Sequence, residues 1–210
     1  MSDEAISIMS TTETLLQLIH TRRSIRQFEP RPVPRSLIER LVEAACWAPS
    51  AHNRQPWRFV VLDEEGRKRQ LAEAMGARLT DDLRADGLEE AQIARDVARS
   101  HRRLTGAPVL LLVCLSMQDM DRYPHPVRQQ HERLMAAQSV AMAAQNLLLV
   151  AHAEGLGACW LCAPLFCPDV VRATLGLPEA FEPQGVIALG YPAEQRTKTR
   201  EPLETRLIFA

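Results

Sequence analysis

Apolar positions recur at helical spacing in the first part of the chain, and the rhythm then changes. Leu15, Leu16, Leu18 and Ile19 follow Ser10 and Glu13, which are spaced as a capping box, so a helix is predicted to end near Thr21. Pro34 suits a first helical position, and Leu37, Ile38, Leu41, Val42 and Ala45 form one stripe behind it until Pro49 stops it. Residues 58–63 (RFVVLD) are a short β-rich run. The charged segments 65–79 and 89–104 read as exposed helices. Residues 107–116 (APVLLLVCLS) are apolar without alternation, as in a strand covered on both faces. A proline-bearing connection, 117–130, predicts a long loop and a candidate lid. The following segment, 130–154, is helical and apolar around most of its circumference, so it is buried all round or by a partner subunit. Residues 158–161 and 184–190 are strand candidates on either side of a short helix, 168–175, closed by Gly176. The stretch 197–210 has no local partner and is expected to extend over something else. The result is a single α+β domain behind an N-terminal tail, residues 1–10.

Composition narrows the function. The 210 residues are 46% hydrophobic, which suits one domain with a real core. A formal net charge of -1 argues against a nucleic-acid binder. No uninterrupted apolar run reaches the roughly 18–20 residues of a membrane span, since Gln145 and Asn146 break the longest one. The start, MSDEAISIMS, is acidic and polar rather than signal-like, so a cytoplasmic enzyme or binding protein is the default expectation. Cys159, Cys162 and Cys167 form a CxxC-x4-C pattern that raises a metal site, but no second CxxC or HxxxH supplies a fourth ligand. GxGxxG, Walker, GxSxG and HExxH patterns are missing too.

Three segments carry candidate chemistry. TRRSIRQF, residues 21–28, gathers Arg22, Arg23 and Arg26 around Ser24, and Arg22 and Arg26 share a face if the helix continues. Forked guanidinium donors suit a phosphate or a carbonyl edge, while the bland alternative is a solvated helix end. APSAHNRQPWRF, residues 48–59, is either an ordinary helix-to-strand turn or a loop whose small polar groups bind a polyol or heterocycle. In RTKTREP, Lys198 and Arg200 form a second cationic pair able to close on the same phosphate.

TRRSIRQF, APSAHNRQPWRFVVL, EGLGACWLCAP and LGYPAE with its basic tail, in that order, resemble the FMN-dependent nitroreductase superfamily over nearly the whole chain. The resemblance implies a nitroreductase-like sandwich, with a central, mainly antiparallel sheet flanked by helices. It also implies an intertwined homodimer with FMN at each subunit boundary and residues 197–210 over the partner. Arg22, Arg23, Ser24 and Arg26 would serve the phosphate, ribityl chain and pyrimidine edge, and Lys198 and Arg200 would complete the phosphate site. Pro49, Ser50, Ala51, Asn53 and Gln55 would come from the other subunit. Cys162 and Ala163 would bring backbone N–H groups near the flavin N5. The implied reaction passes hydride from NAD(P)H through N5 to a small electrophilic acceptor (nitro, quinone or conjugated) in ping-pong order, with no side chain named as catalytic.

GACWLCAPLFCPDVVRATLGLP, FEPQGVIALGYPAE and RSHRRLTGAPVLLLVCL also resemble, more narrowly, the flavin domain behind the coenzyme F420 glutamate ligase. That likeness implies a reductase acting on a deazaflavin precursor. The basic group Arg95, Arg99, Arg102 and Arg103 either meets such an anionic substrate or is a solvated helix face. Arg99, Arg103 and, from the lid, Tyr123 are the substrate candidates. A flavin-binding regulator without turnover is the alternative from another class. Cys162 and Ala163 stand where relatives often carry an acidic residue and glycine, and the Cys162 thiol reads as inert and turned into the core. Ala51 replaces a hydroxyl seen in some relatives.

Overall fold

The run that never alternates lies at the middle of the sheet. In a computed structural model, which describes residues 10–209, the chain runs α1 (Thr11–Thr21), α2 (Arg35–Cys46), β1 (Trp57–Leu62), α3 (Glu65–Ala85), α4 (Glu90–Thr105) and β2 (Val109–Leu115). It continues through α5 (Pro126–Ala153), β3 (Gly157–Leu161), α6 (Pro168–Leu175) and β4 (Glu182–Gly190). Short 3-10 turns occupy Ala51–Asn53, Ala163–Phe166 and Leu203–Thr205. The sheet order is β1-β2-β4-β3, and every neighbouring pair is antiparallel. All of β2 is buried, as an interior strand with helices on both sides requires. Its Val109, Leu111, Val113 and Leu115 join the core under α2 and α5. Leu110, Leu112 and Cys114 join the core shared with α3 and α6. The expected α+β sandwich is the observed one.

Local chemistry sets the helix ends. Ser10 and Glu13 exchange side-chain-to-backbone hydrogen bonds of 3.2 and 2.8 Å, so the capping box is real. Pro126 takes the first turn of α5, which therefore starts before residue 130 and shortens the expected lid to the stretch before it. The helices expected to be exposed are partly buried. α3 runs past 79 to Ala85 and buries Leu71, Ala72 and Met75, a stripe hidden by the charges around it. Lys68 is buried with them, its Nζ donating to the carbonyls of Ala107 (2.6 Å) and Pro108 (2.9 Å), and burial holds its pKa below the usual lysine value.

α5 is long and apolar enough, by length and composition, to cross a membrane. Gln145 and Asn146 break its apolar run, as the sequence shows, without lowering its average hydropathy enough to fail that test. Its Ala136, Val140, Ala143, Leu147 and Ala151 are buried in the core, and Asn146 Nδ2 donates to the Ala44 carbonyl at 3.3 Å.

One further strand-like segment places the site. Ser24 bridges Ala158 in parallel, Phe28 bridges Pro192, and the Ile25 N–H donates to the Ala158 carbonyl at 3.1 Å. The Ala193 N–H donates to the Gln27 carbonyl at 3.0 Å. Residues near the start of the chain are thereby laid along β3 and beside the segment that leaves β4.

Candidate functional site

Helix α1 stops at Thr21, and Arg22, at φ -57 and ψ 130, turns the chain into an extended course. This corrects the helical reading of Arg22 and Arg26. Side chains in an extended segment alternate, so Arg22, Ser24 and Arg26 share one side and Ile25 points to the other, into the core. Together with Arg23, Arg196, Lys198 and Arg200 they line a cavity of about 190 Å³. Both ends of the chain therefore contribute cations to one place, as the sequence suggested, and Arg196 is an addition. Within RTKTREP nothing marks Arg196, since only the path of the tail brings it to the cavity.

The donors are held in place. Arg23 donates through Nη1 to the carbonyls of His20 (2.6 Å) and Arg22 (2.8 Å), and through Nη2 to that of Lys198 (3.2 Å). Arg26 Nη1 reaches the Ser24 carbonyl at 3.3 Å. The Nε–H groups of Arg23 and Arg26 are buried and have no acceptor among the described residues. A buried donor left unpaired costs about 1–3 kcal/mol, so an incoming oxyanion has something to relieve. Burial first, then Arg200 and Arg23, push the Arg22 pKa below the usual guanidinium value. Burial and the same arginines, Arg22 and Arg23, lower that of His152, whose Nε2 lies 2.8 Å from Thr21 Oγ1.

Glu194 organises the tail. Its Oε1 accepts from the N–H groups of Arg26 (2.6 Å) and Gln27 (3.2 Å), and its Oε2 from Arg196 Nε (2.8 Å). The Arg196 bond first, then the backbone donors, hold its carboxyl below the usual value of 4.5. A depressed carboxylate contributes stability that is complete above its unfolded value and lost as pH falls through the folded one. Glu194→Gln is therefore expected to lower the urea midpoint at pH 7, and the gap from the unaltered protein is expected to close below the ordinary carboxylate range. A gap that stays constant down to about pH 3 would remove Glu194 from this role.

A second cavity, about 510 Å³, adjoins the first across Arg26 and Arg196 and is lined further by Arg99, Arg102 and Arg103. Burial, then Arg26 and Arg99, depress the Arg103 pKa. Arg95 is not among its lining residues. Tyr123 lies elsewhere, in a cavity of about 580 Å³ with Arg122, Arg172 and Glu182, and Arg128 stacks on its ring at 4.1 Å. The three substrate candidates are thus not brought together within one chain.

The loop after α2 also stays apart from these cavities. Pro49, Asn53 and Gln55 are exposed, Ser50 and Ala51 half-buried. His52, Asn53 and Gln55 hold φ of 50, 53 and 50, a left-handed course that side chains other than glycine seldom take. Ser50 Oγ accepts from the Gln55 N–H (3.0 Å) and Ser139 Oγ from the Ala51 N–H (3.4 Å), which keeps the loop in that shape. Strain of this kind gathers at binding loops.

At the end of β3, Cys162 is exposed and accepts a hydrogen bond from Trp160 Nε1 at 3.1 Å, so its side chain does not enter the core as expected. Ala163 opens a 3-10 turn, where its N–H precedes the turn's own bonds. It lines an apolar cavity of about 230 Å³ with Met75, Leu79, Ser100 and Phe166. Cys159 and Cys167 are buried, burial raises both thiols, and among the described residues no group of three or more metal-ligating side chains forms.

Residues 19–191 match the nitroreductase family. The chain is 34% identical to a Thermus thermophilus protein named NADH dehydrogenase, over 90% of this chain and 92% of that one. It is 32% identical to a Methanothermobacter thermautotrophicus protein named as NADH dehydrogenase/NAD(P)H nitroreductase, over 86% and 78%. Among solved structures, a nitroreductase-like protein from Desulfovibrio desulfuricans in complex with FMN superposes with a TM-score of 0.71 at 28% identity, covering 93% of this chain and 96% of that one.

Proposed function

The chain belongs to the nitroreductase family, and from that membership we propose that it is an FMN-dependent oxidoreductase that uses NAD(P)H to reduce a small electrophilic acceptor. The observation that carries the cofactor is the 190 Å³ cavity with six cationic side chains and two buried, unpaired Nε–H donors beside it. That donor set fits an oxyanion such as a terminal phosphate. Two relatives named for nicotinamide-dependent activities and a neighbour that binds FMN support the same reading.

Bound FMN supplies reversible hydride uptake and delivery at N5. The protein supplies position and charge. Arg22, Arg23, Arg196, Lys198 and Arg200 hold the phosphate, and Ser24 offers its hydroxyl to the ribityl chain. Arg26, with Arg103 lining the same groove, would serve the pyrimidine edge and supply positive charge there. The Ala163 N–H would be the backbone donor offered to N5. Ping-pong kinetics is the expected result if reductant and acceptor use the same site in turn.

The site is shared between two copies of the chain. Leu15, Leu16 and Ile19 of α1, and Leu203, Ile208 and Phe209 of the tail, are exposed large apolar side chains, and an intertwined partner covers them. The strained loop 49–55 then completes the partner's cofactor site. Light scattering is expected to show a dimer, and purified protein is expected to be yellow. Stopped-flow mixing with NADPH is expected to bleach the flavin band, whereas FMN bound without bleaching would leave only a flavin-binding regulator. The arginine groove gives the narrower reading, a reductase of an F420 precursor, its one structural support. Competition by F420 for activity tests it.

A further inference from the structure

We propose that the groove beside the phosphate cavity binds an oxyanion group of the ligand that exchanges at each turnover, with Arg99 and Arg102 as its outer contacts. The proposal rests on the FMN reading. Its starting point is a charge imbalance. The two adjoining cavities are lined by nine cationic side chains. Among the described residues only two carboxylates pair with them, Glu194 with Arg196 and Asp96 with Arg99 at 2.6 Å. A phosphomonoester brings about -1.5 to -2 charges, so one mononucleotide leaves most of this field unmet. Elsewhere on the surface Arg35, Arg54, Arg78 and Arg84 sit directly on carboxylates. Around the groove Arg26, Arg102 and Arg103 have no such partner among the described residues, while Arg99 and Arg196 each share one carboxylate.

Geometry separates the outer part of the groove from Arg26, Arg103 and Arg196, which the cofactor reading already uses. Arg99 and Arg102 lie three apart on α4, on one side of the helix, and neither lines the smaller cavity. Both are exposed, as suits a ligand that must leave, whereas Arg26 and Arg103 deeper in the groove are half-buried. Basic residues late in a helix favour its dipole, and a solvated face would need no more than that. Such a face does not require Arg26 and Arg196 to converge on it from distant parts of the chain. Convergence of three segments on one 510 Å³ space is the mark of a binding groove. Two exchanging ligands bring the right chemistry: the 2′-phosphate that distinguishes NADPH from NADH, or an acceptor that carries its own anionic group.

The test uses the FMN-loaded protein and the Arg99→Gln/Arg102→Gln double variant, with a double lysine variant beside it. Calorimetry compares adenosine 2′,5′-bisphosphate with adenosine 5′-monophosphate, and kinetics compares NADPH with NADH and an anionic naphthoquinone sulfonate with neutral menadione. One lost charge-assisted contact corresponds to at least about tenfold in affinity. If the phosphate is the reductant's, the bisphosphate binds about tenfold tighter or more, and the double variant loses that preference. KM for NADPH then rises by a similar factor, and KM for NADH does not move. If the anion is the acceptor's, the same loss falls on the sulfonated quinone alone. The lysine variant keeps part of either preference, and FMN affinity is unchanged throughout. Equal handling of both members of each pair by the unaltered holoprotein, or a double variant that behaves identically, overturns the proposal and leaves the cofactor reading standing. Failure of the unaltered protein to take up FMN would instead strike the cofactor reading.

Discussion

FMN affinity is expected to fall about ten- to a hundredfold when Arg22 is replaced by alanine, the effect of losing one shielded, charge-assisted contact of about 1.5–3 kcal/mol. Arg22 is half-buried, and its own pKa is lowered by burial, then by Arg200 and Arg23. In the apoprotein it therefore repels its neighbours. Arg22→Ala removes that repulsion, so apoprotein stability is expected to stay level or rise slightly while the gain in Tm on adding FMN shrinks. A purely structural arginine would behave in the opposite way. Lys198 is exposed and more screened, and Lys198→Ala is expected to cost less. Arg26→Lys keeps the charge but loses the fork and the Nε donor. Quenching of flavin fluorescence on titration measures all three. Unchanged affinity in Arg22→Ala would mean that the phosphate lies elsewhere.

That site was readable in part. The stripe in α2 and the unbroken apolar run of β2 are local signals, and both led to the right element. The order β1-β2-β4-β3 is a long-range property that no window of residues reveals. The charge on α3 concealed a buried stripe because Lys68 satisfies its ammonium on two carbonyls instead of water. Arg22 and Arg26 were expected to meet by helical spacing and meet by strand spacing instead, since periods of two and of about four both return after four residues. Arg196 and the left-handed residues His52, Asn53 and Gln55 gave no cue, because neither a tail's path nor a strained φ is written in side-chain type. The arginine groove was half visible: Arg99, Arg102 and Arg103 stand together in the sequence, but Arg26 and Arg196 reach them only through the fold.

Gly157→Ala tests whether the edge of β3 really aims the arginines. Gly157 begins β3 and does not line the 190 Å³ cationic cavity. A Cβ there would lie 2.7 Å from Ile25 Cγ2 and 2.9 Å from Ile25 Cβ, closer than such atoms approach. Ile25 is β-branched and packed, so rotation about χ1 offers little relief. The segment itself has to move, and the hydrogen bond from the Ile25 N–H to the Ala158 carbonyl moves with it. Overpacking of this kind costs about 1–3 kcal/mol of stability. Ser24 and Arg26 flank Ile25 directly, so FMN affinity is expected to fall more than tenfold although no cofactor contact has been altered, a loss of over 1.4 kcal/mol. Adding Ile25→Ala removes both γ carbons that meet the new methyl but keeps the Cβ at 2.9 Å. Alone, that change leaves a cavity and destabilises; combined with Gly157→Ala it is expected to restore part of the lost affinity, so the two effects do not add. A Gly157→Ala protein with unaltered FMN affinity would show that the arginine segment takes its position from the cofactor and the tail, and that the parallel bridge to β3 only follows.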